Sequence, residues 1–462
     1  MNWRVRFLAL MVLFFFGALS FVYYKSFVKK RAHGVILFVA NGLDLTTLNL
    51  ARQQSEAARN QSKIDIWMQP ARHQAPTQNQ ILNLEGLPRI AILNVQGLGQ
   101  PVADEAAAST ALACGQRVKN GLVGCNSLDQ QLPSLIYAAQ SAKRATGLVS
   151  TSSLTDPTPV AFYTYMRDPR EKYRAAAALV DSARIDIVLG GGCDYFTPAN
   201  VTNEAGRTDG RDLLRDAERQ GYTIARSIDD LRKVPVWRTR QLFGLFAPQS
   251  FYFSGSTRRD PQQPSLSDMT RTAIQCLQYN INGYFLVVEH GLIASAAKQN
   301  MTDLAVNETV ALDQAIETAI HYAGPDALII VTNNYSLGAL ANTTPLPEVP
   351  ALAGANASLR KSWTKAAVAK APAADSAPMW LNGPGGPRVT AAQQAWYKER
   401  IASGAFSTNS ASIFAPDEAA NFAIEAVPTA APAWMASRGF GSTRLTGFLS
   451  NVDLYYILQE LF

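Results

Sequence analysis

The apolar positions of this chain fall into two alternating rhythms. Val35–Ala40 (VILFVA) is an unbroken apolar run bounded by turn residues, the pattern of a strand buried on both faces. Similar runs recur at Ile90–Val95, Ala145–Ser150, Ile185–Leu189, Tyr284–Glu289 and Ala327–Asn333. Between them, apolar residues return every three to four positions. This predicts helices over Ser134–Ala142, Asp212–Gln220, Asp268–Tyr279, Thr302–Ala323 and Asn451–Leu461. Strands alternating with helices predict an α/β fold with a largely parallel central sheet covered on both faces. In such sheets the functional site lies at the carboxyl ends of the strands, so the residues following Ala40, Glu289 and Thr332 draw attention. From about 336 to 408 the composition turns to Ala, Pro and Gly and the strand rhythm stops, as expected of an insert or cap. The pattern divides the chain into a membrane segment at 1–33, a core at 34–335, the insert at 336–408 and a C-terminal return to the core at 409–462.

The first division rests on Phe7–Tyr24, 18 uncharged and mostly apolar residues. That is about the length needed to cross a hydrocarbon layer of roughly 30 Å. A cleaved signal peptide is the competing reading. The run is long for one, and no small-x-small site precedes Lys25. The net charge of +6 is concentrated here: Arg4, Arg6, Lys25, Lys29, Lys30 and Arg31 fall within the first 33 residues, which contain no acid. The remaining 36 basic and 36 acidic residues leave a neutral body, which excludes a broad nucleic-acid footprint. The basic flank after the span would retain the body in the cytoplasm, although long domains translocate largely regardless of such charges.

Four cysteines, Cys114, Cys125, Cys193 and Cys276, form no CxxC pair, so a zinc ribbon is excluded. The stretch CGQRVKNGLVGC leaves two readings open, a Cys114–Cys125 bridge in an oxidising compartment or two buried free thiols. Of the four histidines only His290 stands near a predicted strand end; His33, His73 and His321 do not.

Six collinear segments carry a resemblance. VILFVANGLDLTTLNLARQQ, DEAAASTALACGQRVKNGLVGCN, ATGLVSTSSLTDPTPVAFYTYMRDPREKY, IDIVLGGGCDYFTP, GYFLVVEHGLIASAAKQN and LIIVTNNYSLG resemble, in order, the blocks of the alkaline phosphatase family. The resemblance implies a three-layer sandwich over residues 35–335, export of the body to a periplasmic or extracellular space, and a homodimer. It also implies a phosphomonoesterase with a serine nucleophile, two zinc ions, a magnesium ion and an arginine that grips the phosphate.

The same resemblance implies that most of that equipment is missing. The family's metal-bridging aspartate falls on Asn41, and its Asp-Ser pair on Asp104 and Glu105. Its phosphate arginine falls on Pro169, flanked by Arg167 and Arg170. The magnesium glutamate matches Glu289, and the hydroxyl ligand matches Thr158. The zinc positions fall on Ala294, Lys298, Asn334, Tyr335 and Phe414. Only Asp104, Thr158 and Glu289 retain family identities, so no cofactor is expected; any residual metal would fall to Thr158 and Glu289. Lys298 is expected to pair with Glu105 or Glu289 in place of the missing cations, because clustered carboxylates without a counter-charge repel one another. The expected function is a catalytically inactive, membrane-tethered scaffold or assembly subunit with protein partners. The alternatives are a residual metal-dependent hydrolase, or an anion-binding module using Arg167 or Arg170.

Overall fold

A computed structural model of the chain describes residues 3–27, 32–66, 82–168, 170–199, 205–256, 258–299, 301–337, 340–341, 379–380 and 431–462. Its strands are β1 (Gly34–Val39), β2 (Arg89–Asn94), β3 (Ala145–Ser153), β4 (Ile187–Gly191), β5 (Thr223–Ala225), β6 (Leu242–Leu245), β7 (Tyr284–Glu289), β8 (Leu328–Thr332), β9 (Leu340–Ala341), β10 (Met379–Trp380), β11 (Ala433–Arg438) and β12 (Gly447–Ser450). Ten of them form one sheet in the order β12-β2-β11-β8-β1-β7-β3-β4-β6-β5, and β9 pairs with β10 separately.

The centre of the sheet is parallel: β1 lies between β7 and β8, and β7 between β1 and β3. Because side chains alternate across a strand, β1 supplies two cores at once. Val35, Leu37 and Val39 enter one hydrophobic layer; Ile36 and Phe38, continued by Ala40, enter the other. The helices Leu135–Ser141, Lys172–Asp181 and Asn451–Leu461 cover the first face. Leu266–Leu277 and Thr302–Ala323 cover the second. The result is the predicted three-layer α/β arrangement.

β11 departs from the parallel rule. It runs antiparallel to both β2 and β8, wedged between them. Beyond it, β2 differs from the expected doubly buried strand. Ala91 and Leu93 are buried, whereas Ile90 is 67% exposed and Ile92 40%. Among the described residues no helix covers that face so near the sheet edge.

At the amino terminus a helix spans Trp3–Phe27, and its stretch Trp3–Phe21 has a mean hydropathy of 1.8 with none of it buried in the protein. It is a candidate membrane anchor. Cys114 and Cys125 are both buried free thiols. Of the insert, only the β9–β10 ladder and residues 336–337 are described.

Candidate functional site

The sheet delivers the predicted residues to one place. In register, Val39 of β1 faces Glu289 of β7, and Glu289 faces Ser150 of β3. Asn41 follows β1 and Asn334 follows β8, so both stand at the carboxyl edge of the sheet. Gly42 makes the turn possible. It has φ +75°, and a Cβ added there would come within 3.1 Å of Ala294 Cα and Cβ, so both the backbone and the space favour glycine.

Glu289 is the hub. It is 1% exposed; Ser150 Oγ is hydrogen-bonded to Oε2 at 2.5 Å, Ser152 Oγ donates to Oε1 at 3.4 Å and Asn41 Nδ2 donates to Oε1 at 3.0 Å. Burial raises its pKa to about 8; the Ser150 hydrogen bond opposes this, and the negative charges of Glu105 and Asp156 add to it. Glu289 is therefore mostly a neutral acid at pH 7; in that form Oε2 donates its proton to Ser150 Oγ, which in turn donates to the Ser152 main-chain oxygen at 3.3 Å. Gly291 leaves room for this carboxyl to fold back, since a Cβ there would run into Ser152 Oγ and Glu289 Oε1. Gly291→Ala is expected to lower stability by about 2 kcal/mol or more in chemical denaturation, because two buried polar groups would have to move. A variant as stable as the parent would contradict this packing.

Asn41 joins Glu289 to the next cluster. Its Nδ2 also donates to Thr158 Oγ1 at 2.9 Å, and Thr158 Oγ1 donates to Glu105 Oε1 at 3.2 Å. The other oxygen, Glu105 Oε2, accepts from Tyr335 Oη at 3.2 Å and lies 3.5 Å from Lys298 Nζ. Lys298 thus pairs with Glu105. Tyr335 is buried, and its phenol is pushed well above its usual pKa by desolvation and by the Glu105 charge. Asn334 Nδ2 donates to Ser109 Oγ at 2.7 Å, and Ser109 shares a 2.8 Å bond with Thr158. Asn451, from the C-terminal helix, donates to Asn334 Oδ1 at 3.2 Å.

Asp104 has a different role from the one its motif implies. It caps the helix Glu105–Cys114, accepting from Ala107 N at 2.8 Å and from Gly121 N at 2.7 Å, so both oxygens serve the backbone. Burial raises its pKa while those hydrogen bonds pull it down. Arg167 pairs with Asp129 at 3.0 Å and Arg170 with Asp168 at 2.5 Å, both at exposed positions. Pro169 and Phe414 lie outside the described residues.

Sequence reasoning missed several members of the cluster. Ser150 and Ser152 come from β3, Ser109 and Asn451 from two separate helices, and small polar side chains in a strand or helix carry no local signal. Asp156 could have been found beside Thr158 in DPTP. It pairs with Lys172 at 2.7 Å, and burial raises its pKa against the pull of that lysine. His290 turns away from the cluster. Its Nδ1 meets Thr151 Oγ1 at 2.9 Å and its Nε2 lies 3.2 Å from Glu308 Oε2.

The donor set does not suit divalent cations. Among the described residues no group of three or more His, Cys, Asp or Glu side chains converges as a metal site. The space between Thr158 and Glu289 is bridged by an amide nitrogen, and the charge facing Glu105 is an ammonium. The arrangement holds protons and hydrogen bonds at fixed atoms.

Comparison with known proteins places this geometry in a lineage. The profile of the alkaline phosphatase family matches residues 32–348. Alkaline phosphatase H of Pseudomonas aeruginosa (strain UCBPP-PA14) is 30% identical over 354 residues, covering 68% of this chain and 71% of that protein. Alkaline phosphatase of Gadus morhua is 28% identical over 349 residues, covering 67% and 70%. Among solved structures, Thermus thermophilus alkaline phosphatase superposes with a TM-score of 0.66 at 20% identity, covering 94% of this chain and 92% of that one. The enzyme from the Antarctic bacterium TAB5 gives 0.63 at 18%, covering 94% and 98%. The sheet order, the residues at its carboxyl edge and these matches agree, and the chain belongs to the alkaline phosphatase family.

Proposed function

We propose that this protein is a catalytically silent member of its family, tethered to a membrane by its N-terminal helix and serving as a scaffold or assembly subunit for other proteins. One observation supports this above the others. Asn41 Nδ2 sits between Thr158 Oγ1 and Glu289 Oε1 at 2.9 and 3.0 Å, where a cation would have to stand to use both oxygens. A neutral amide there, Lys298 beside Glu105 and the neutral acid of Glu289 together balance the cluster without metal. At the position that aligns with the family's nucleophile, Glu105 is held by Thr158, Tyr335 and Lys298. A carboxylate so engaged, with no metal to activate it, is a poor substitute for the family's serine nucleophile.

The test is elemental analysis of the purified full chain together with a phosphomonoesterase assay of the parent and of Glu105→Ser. Both forms are expected to contain well under one zinc per chain and to show no turnover, because restoring one hydroxyl restores no ligands. Two divalent ions per chain, or turnover abolished by Glu105→Gln, would favour a residual metal-dependent hydrolase instead. The tethering and the body's placement on the outer side of the membrane are part of the same proposal. Protease accessibility in sealed vesicles tests the placement, and co-purification in mild detergent tests the scaffold.

A further inference from the structure

Glu289 and His290 are consecutive, yet they open onto opposite layers of the fold. The same alternation holds on β3, where Ser150 and Ser152 meet Glu289 and Thr151 meets His290. Behind the cluster, on the other side of the strand ends, lies a cavity of about 290 Å³ lined by Thr151, His290 and Glu308. That size sits at the lower end of small-molecule sites.

The floor of this cavity is fixed. His290 Nε2 faces the Glu308 main-chain oxygen at 3.0 Å and the Glu308 carboxylate at 3.2 Å, so it carries the proton and Nδ1 accepts from Thr151. Glu308 is fully buried and is further held by Ser254 N and, at 3.3 Å, by Ser254 Oγ. The rim is amide-rich and carries one cation, Arg259. Gln54 Nε2 donates to Asn307 Oδ1 at 2.8 Å, a bond that engages one half of each amide and leaves Gln54 Oε1 and Asn307 Nδ2 as an acceptor beside a donor. Tyr252, 46% exposed, and the side chains of Leu266 and Leu292 supply apolar faces.

We propose that this cavity binds a small neutral sugar or polyol. Adjacent hydroxyls on such a molecule each donate and accept, matching the paired amides of Gln54 and Asn307, while its C–H face suits Tyr252 and the leucines. Arg259 at the rim and the Glu308 carboxylate at the floor offset each other, so the cavity has no excess charge of either sign to select an ion over a neutral molecule. This site is separate from the Glu289 cluster and does not depend on whether that cluster is active.

The experiment is saturation-transfer NMR and calorimetry on the full chain, in a detergent without a sugar headgroup. The probes are glucose, galactose, mannose, N-acetylglucosamine, glycerol and inorganic phosphate. At least one sugar or polyol is expected to bind saturably, with affinity reduced about tenfold or more by Asn307→Ala and unchanged by the remote Arg219→Gln. Gln54→Ala, at the exposed rim, serves if Asn307→Ala does not fold. No saturable binding by any sugar or polyol, binding of phosphate alone, or binding indifferent to the rim variant would overturn the proposal.

Discussion

Glu289→Gln is expected to remove the main pH dependence of folding stability above pH 5. In the folded chain burial holds the Glu289 acid at about 8, whereas its ordinary value is 4.5. Between those values the folded form binds a proton that the unfolded chain has released, so stability falls as pH rises. The contribution is complete below about pH 4.5, declines through the neutral range and is lost once pH passes about 8. A shift of this size corresponds to roughly 3–5 kcal/mol across the window. Glutamine retains an acceptor for Asn41 and cannot ionise, so the variant should be close to the parent near pH 5 and clearly more stable near pH 9. Urea unfolding at several pH values reads this directly. Parallel pH profiles for the two proteins would show that Glu289 is ionised in the fold, and with it the neutral balance of the cluster would fail.

The second large effect is expected from the reverse change of charge. Asn41→Asp places a carboxylate between Thr158 and Glu289, in a site where Asn41 itself is 1% exposed. Both donor bonds from Nδ2 are lost, and two buried acids face each other. A destabilisation of about 3–5 kcal/mol is expected at pH 8, smaller at pH 5 where the pair can keep a proton. Zinc or magnesium should not rescue it, since Ala294, Asn334 and Lys298 still contribute no anionic ligand. A melting temperature that rises with either ion, as mass action requires of a tight ligand, would revive the metal-dependent reading.

What the sequence revealed, and what it concealed, follows burial. The central parallel strands were legible because both faces are covered, leaving continuous apolar runs; β7 begins and ends where the pattern predicts. β2 was misjudged because its apolar residues occupy an open face as well as a packed one. β5 and β6 are too short, at 3 and 4 residues, to set up a pattern. β11 (AWMASR) mixes small and polar residues and takes its place by pairing on both sides. At the site, the pairing of Lys298 with Glu105 could be anticipated from motif positions. The serine shell around Glu289 could not, because a hydroxyl reads alike in any setting. The His290–Glu308 contact joins a strand end to a helix 18 residues on, a relation visible only in three dimensions.

The position of β11 also governs how this protein can be made. The strand that joins β2 to β8 comes from residues 433–438, some 100 residues after β8 itself. Until translation reaches that point, β8 presents an unsatisfied edge and β2 has no route into the sheet. A chain ending between residues 333 and 432 would therefore carry an adhesive strand edge rather than being a slightly shortened protein. Quality control should clear such products almost completely, even though the cluster around Glu289 lies mostly upstream.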